Sequence, residues 1–192
     1  HFAFENGAFF QLPGLNFTGE GLAEDFEIRP GVVIPKGTYR NADWEFRANT
    51  DRSAPLSVSG GWNYGGFYSG TRFGPNATVS YRYQDQFTVS LRANYFDVRL
   101  EEGDFTTAIV AFQGQYSFTP RVYVQANVQY NDDTTDIGTN IRFGWLDTAG
   151  TGLFVVYNDA WHYGTFADTG IPAGPRQRQL IVKYTKLFDF TR

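Results

Sequence analysis

The chain has 192 residues, a formal net charge of −4 and no cysteine, which excludes disulfides and thiolate metal sites and gives no sign of a nucleic-acid partner. Mean hydropathy is −0.37, aromatic residues reach 18%, and no apolar run approaches the roughly 18 residues that a membrane-spanning helix needs. One texture repeats throughout, so a single domain over residues 1–192 is expected; the absence of any methionine, even at the start, suggests a processed mature chain or a piece of a longer one.

In chain order, Phe2, Phe4 and residues 8–12 predict a weak first strand, broken at Asn6-Gly7. Residues 13–37 read as a long acidic connection. A second strand sets Trp44, Phe46 and Ala48 against Asp43, Glu45 and Arg47, with a short turn at 50–55. The third alternates Leu56, Val58, Gly60, Trp62 and Tyr64 with Ser57, Ser59, Gly61 and Asn63, and a Gly-rich loop is expected up to Pro75. The fourth opposes Ala77, Val79, Tyr81 and Tyr83 to Thr78, Ser80 and Arg82. After a turn at 84–86, the fifth opposes Phe87, Val89, Leu91, Ala93 and Tyr95 to Thr88, Ser90, Arg92 and Asn94. An acidic loop around Glu101, Glu102 and Asp104 follows.

Residues 106–130 carry the clearest pattern. Ala108, Val110, Phe112, Gly114, Tyr116 and Phe118 alternate with Thr107, Ile109, Ala111, Gln113, Gln115 and Ser117. Beyond the turn at 119–121, Val122, Val124, Ala126, Val128 and Tyr130 alternate with Tyr123, Gln125, Asn127 and Gln129. A period of two over runs this long predicts paired strands with opposite faces. The eighth strand opposes Ile137, Thr139, Ile141, Phe143 and Trp145 to Asn140 and Arg142. The ninth, 153–161, is apolar on both faces, and the tenth sets Leu180, Val182, Tyr184, Phe188 and Phe190 against Lys183 and Thr185.

A polar face made of amides and hydroxyls rather than Lys and Glu suggests a confined wet interior, with the apolar face turned to lipid. The expected fold is an all-β, antiparallel up-and-down transmembrane barrel of about ten strands, complete or the C-terminal part of a larger one. Short turns near 52, 85, 120 and 149 alternate with longer connections, as periplasmic turns alternate with outside loops. Outward projection is expected for Trp62, Tyr64, Tyr81, Tyr83, Tyr116, Phe118, Trp145, Phe188 and Phe190, many of them in interfacial belts. A one-residue slip would place Arg82, Arg92 and Arg142 in lipid at about 2–4 kcal/mol each near the midplane, so the register is well specified.

Residues 24–28, the run Pro30-Gly31-Val32-Val33-Ile34-Pro35-Lys36-Gly37-Thr38-Tyr39-Arg40, residues 102–106, residues 153–158 and the ending 180–188 resemble the C-terminal part of an uncharacterised bacterial family. In that family a family-9-like carbohydrate-binding module precedes an outer-membrane barrel region much longer than this chain. The likeness implies a bacterial outer-membrane location and lipid, lipopolysaccharide and envelope-protein neighbours. It carries over no catalytic residue, and the binding module is missing here. Lys183, Tyr184, Phe188 and Phe190 resemble the C-terminal signal read by the barrel-assembly machinery, with Thr185 where glycine is usual and Thr191-Arg192 after the last aromatic.

Asp43, Glu45, Arg47, Arg82, Arg92, Arg142 and Lys183 share the inferred lumen. They read either as a constriction favouring anions or as an ion-pair network filling a narrow barrel, which would pass no large steady current. Twelve acids fall in the expected outside loops: Glu20, Glu24, Asp25, Glu27, Glu101, Glu102, Asp104, Asp132, Asp133, Asp136, Asp159 and Asp168. Of these, Asp132, Asp133 and Asp136 are oxygen donors of the type that holds a divalent cation, without the spacing of a calcium loop. No cofactor is implied. His162 with Asp159 and Asp168 would suit a base in an omptin-like surface hydrolase, against the plainer reading of a loop histidine. Three functions follow: a membrane barrel acting as pore, anchor or assembly component, that hydrolase, and a soluble lipocalin-like barrel with its apolar face inward.

Overall fold

A computed structural model describes residues 2–147, 150–165 and 169–187. The protein is all-β, with strands β1 (Phe2–Ala3), β2 (Phe9–Leu22), β3 (Phe26–Arg29), β4 (Val32–Ile34), β5 (Gly37–Asn49), β6 (Leu56–Phe67), β7 (Gly70–Tyr83), β8 (Phe87–Leu100), β9 (Gly103–Thr119), β10 (Val122–Asn131), β11 (Asp136–Leu146), β12 (Gly152–His162) and β13 (Gly174–Thr185). Eleven form one antiparallel up-and-down sheet in the order β1-β2-β5-β6-β7-β8-β9-β10-β11-β12-β13, and β3 pairs with β4 separately. The order is linear, with β1 and β13 at its ends. Two compact units divide the chain: His1–Val79 with Ala93–Ala108, and Ser80–Arg92 with Ile109–Arg192.

Ten long strands stand where ten were expected, but they are longer and their connections shorter. The expected break at Pro13 is a bulge inside β2: the ladder to β5 shifts between Gln11 and Gly14 and then continues to Leu22, opposite Gly37. Proline has no N–H to donate, so a bulge is where a strand tolerates it. The acidic connection therefore spans 23–36 and contains the β3–β4 hairpin. The Gly-rich loop before Pro75 is likewise mostly strand, with only residues 68–69 between β6 and β7; its glycines permit close approach, since a Cβ on Gly74 would collide with the Asn63 amide and the Phe96 ring. Residues 101–102 alone join β8 to β9. The expected alternation of short and long connections thus fails at these two places, where β8 reaches 14 residues and β9 reaches 17, and again at residues 132–135 between β10 and β11.

The strand register settles the facing of β9–β13 in the second unit. One row runs Val122, Trp145, Leu153, Tyr184; further rows are Val124, Phe143, Val155, Val182 and Ala126, Ile141, Tyr157, Leu180; another ends in Tyr130, Ile137, Trp161. The ambiguous ninth strand therefore turns Leu153, Val155 and Tyr157 to the apolar side. From Trp145 to Ile137 this face extends about 27 Å along the strand, at roughly 3.4 Å per residue, broken by the row of Thr139, Asp159 and Arg178, where Asp159 and Arg178 pair. Of the aromatics expected to point outward, Tyr64, Tyr81, Tyr83, Tyr116 and Phe118 are exposed and Trp62 and Trp145 half-buried in a sheet that does not close on itself, while Phe188 and Phe190 lie outside the described residues.

The buried apolar core among the described residues is small and lies in the first unit: Val32, Ile34, Val98 and Leu100, flanked by Leu22, Ile28, Tyr39, Phe67, Tyr68, Phe96 and Phe105. Leu22 and Tyr39 continue the face of Asn16, Asp43 and Glu45, while Phe96, Val98 and Leu100 continue the face of Arg92 and Asn94. The polar side thus turns apolar at one end, and the β3–β4 hairpin covers it. Its turn is set by Pro30-Gly31, with Gly31 at φ 83°, where glycine carries no Cβ penalty.

Candidate functional site

The polar face is the site, and its two halves differ. In the first unit Asp43, Glu45 and Arg47 point to one side of β5, opposite Gly65, Asn63 and Gly61 of β6. Arg47 Nε donates to Glu45 Oε1 at 2.6 Å. Arg72, expected in a loop, joins them from β7: its Nη2 and Nε donate to the Asn63 side-chain oxygen at 2.9 and 3.2 Å, while the Asn63 nitrogen donates to Gly74 O at 2.9 Å. The Arg72 guanidinium lies 4.4 Å from the Phe67 ring centroid, a cation–π contact at the edge of the apolar cluster. Together with Gln11, Asn49 and Arg52 these groups bound a concavity of about 600 Å³.

The hairpin over this face is tied at both ends. Glu27 Oε1 accepts from Gly31 N at 3.0 Å, Asp25 Oδ1 from Lys36 N at 2.9 Å and Thr106 O from Arg29 Nη1 at 3.0 Å; Tyr39 donates to Pro35 O at 2.6 Å. Arg29 also lies 5.4 Å from the Phe105 centroid. In the turn beside it, Tyr68 takes φ 47° and donates to Glu20 Oε1 at 2.9 Å, and Ser69 donates to Glu102. Burial first, and then the Glu20 carboxylate, push the Tyr68 phenol above its usual range.

In the second unit Arg142 lies opposite Gln125 and Val156, and Lys183 opposite Phe154. Arg92 continues the alternation of Thr88 and Ser90, which share a groove with Gln113, Gln115, Gln125 and Asn127. Arg82 sits between Tyr81 and Tyr83 in β7. None of these four cations forms an ion pair among the described residues, in contrast to Arg47. Of the assembly-signal residues, Lys183 and Tyr184 occupy opposite faces of β13, whereas Phe188 and Phe190 lie outside the described residues.

His162 departs from its expected partners. Asp159 lies on the opposite face of β12, where its Oδ1 accepts from Arg178 Nε at 2.9 Å, and Asp168 lies outside the described residues. His162 is 1% exposed; its Nδ1 is 2.7 Å from Asp136 Oδ1 and its Nε2 is 3.0 Å from Thr169 Oγ1. With both nitrogens engaged, the ring ties the start of β11 to the 163–173 connection. Asp132 accepts from the Tyr130 hydroxyl at 3.2 Å. Asp132, Asp133 and Asp136 therefore do not converge, and no group of three metal-ligating side chains stands together among the described residues. Several acids expected in loops sit in strands instead: Glu20 in β2, Glu27 in β3, Asp104 in β9, Asp136 in β11 and Asp159 in β12. Strands that outrun the sequence estimate absorb them.

Comparison with protein-family models, curated proteins and solved structures found no match for this chain.

Proposed function

We propose that the protein is an outer-membrane β-barrel component, a wall or pore segment of a larger envelope assembly, whose apolar face meets lipid and lipopolysaccharide and whose polar face meets water. The observation that carries this reading is the largely apolar face of β9–β13, interrupted by the Asp159–Arg178 ion pair toward one end, with Leu180 at 66% and Val182 at 62% exposure and no layer of described residues covering it. A soluble sheet buries such a face against a second layer.

Closure is part of the proposal. Strand β13 is exposed along nearly its whole length, and unpaired N–H and C=O groups cost several kcal/mol each in hydrocarbon. The edges at β13 and at β1–β2 are met by each other in the membrane or by further strands. Assembly by the barrel-assembly machinery, through Lys183, Tyr184, Phe188 and Phe190, and the motif likeness noted above fit the same picture. The test is fractionation of the full chain expressed with an export signal. Recovery in the outer-membrane fraction with heat-modifiable migration on gels supports the reading, and a folded monodisperse protein in detergent-free buffer refutes it.

A further inference from the structure

The polar face of the second unit carries an arrangement that pore or anchor duty alone does not require. Gln113, Asn127, Asn140, Asn158 and Gln179 stand opposite one another across five consecutive strands, β9 to β13, in one unbroken row. At about 4.8 Å between strands the row is roughly 19 Å long. Every amide offers both donors and an acceptor. Asn140 donates to Asn158, and one row along Gln125 donates to Gln115 at 2.7 Å. Gln113, Asn127 and Gln179 have no hydrogen-bond partner among the described residues, so their full capacity faces outward. Grooves of about 310 and 430 Å³ meet over Gln113 and Asn127.

Two carboxylates and two cations stand near the row, and only the cations are without an ion pair among the described residues. Arg142 lies two residues beyond Asn140 and Lys183 four beyond Gln179, both on the same face and both without an ion pair among the described residues. Both acids that line the groove over Gln113 and Asn127 are engaged, Asp136 by His162 and Asp159, reaching from the other face, by Arg178. A simple anion would use the donors and leave the amide oxygens idle. A hydroxyl both gives and accepts, so a hydroxyl-rich chain matches the row, and carboxylates on it match Arg142 and Lys183.

We propose that this face binds an acidic oligosaccharide, with hydroxyls on the amide row and carboxylates on Arg142 and Lys183. The proposal rests on the barrel reading, which makes this face a wet interior wall.

Calorimetric titration of the full chain in detergent micelles tests it, with a hexameric uronic-acid oligosaccharide, maltohexaose and hexaglutamate as probes. The uronate is expected to bind, with maltohexaose and hexaglutamate each about tenfold weaker or more, a difference of about 1.4 kcal/mol. Combined Q113A and N127A substitution lowers uronate affinity at least about tenfold, and R142Q removes the preference over maltohexaose. Hexaglutamate binding as tightly as uronate, or Q113A/N127A binding uronate like the parent, overturns the proposal. So does absence of uronate binding in a sample that retains heat-modifiable migration. A chain that instead folds without detergent overturns the barrel reading itself, and the proposal with it.

Discussion

The two units build the same two-faced sheet and use the polar face in opposite ways. In the first, the polar side chains partner one another: Arg47 pairs with Glu45, Arg72 donates to the Asn63 amide, and the β3–β4 hairpin closes over an apolar end built from Val98 and Leu100. In the second, an amide row crosses the polar face, Asp136 is held by His162 at the edge of that face, Arg142 and Lys183 form no ion pair among the described residues, and no hairpin of the described residues packs on it. A face that covers itself spends its side chains on internal partners; an uncovered face keeps them for something else. The contrast therefore separates a built-in cap from a binding wall.

The largest expected effect is at the cap. Ile34 is 0% exposed, and Ile34→Ala removes buried methyl and methylene groups at about 2–5 kcal/mol. Hydrogen exchange is expected to show that loss as easier opening of β3–β4 with β9–β13 unchanged. Exchange that rises uniformly through both units would end the distinction between them.

Next comes the facing of the second unit. Ile141→Arg puts a guanidinium on the apolar side and is expected to cost about 2–4 kcal/mol in denaturant unfolding from lipid bilayers. Asn140→Arg, one residue away on the polar side, is expected to cost less than about 0.5 kcal/mol. Equal costs would mean that the faces are not chemically distinct in the membrane.

A smaller effect belongs to the turn beside the cap. Tyr68→Phe removes the hydrogen bond to Glu20, worth about 0.5–1.5 kcal/mol. Because the folded protein raises the Tyr68 pKa, this contribution is complete below the unfolded value of about 10. It is lost as pH rises through the folded value. Limited proteolysis of residues 23–36 should accelerate above pH ~10 in the parent, and Tyr68→Phe should cleave faster at neutral pH with less pH dependence. Identical profiles for the two proteins would remove Tyr68 from the account.

The smallest effect is at Arg47. Its pair with Glu45 is largely solvent-exposed, 66% and 28% for the two side chains, so Arg47→Gln should change stability by only about 0–1 kcal/mol. A larger loss would show that the first unit's ion pairs hold its face together.

Much of this was legible in the residues. Alternation at 106–130 fixes both faces of β9 and β10, and the two-residue period assigns Arg142 and Asn140 to one side. The cap was harder, because 24–37 looks like a loop; yet Phe26 and Ile28 alternate before Pro30-Gly31 as Val32 and Ile34 do after it, which is a hairpin signature in miniature. Arg72 was missed because glycine was read as loop, when Gly70 and Gly74 serve close strand approach. The His162–Asp159 pairing could have been rejected from sequence, since residues three apart in a strand face opposite ways. Its true partner, Asp136, is brought in by the β11–β12 ladder, which no local pattern specifies.

All four tryptophans bear on the central claim, because Trp44, Trp62, Trp145 and Trp161 all lie on the apolar face, opposite Tyr64, Phe46, Leu153 and Ile137 respectively. Reconstitution into vesicles of lipids brominated along the acyl chain tests it directly. The account predicts strong quenching of tryptophan emission by the bromolipid and little quenching by aqueous iodide. Emission that ignores the brominated chains while iodide quenches it freely would contradict a lipid-facing apolar side.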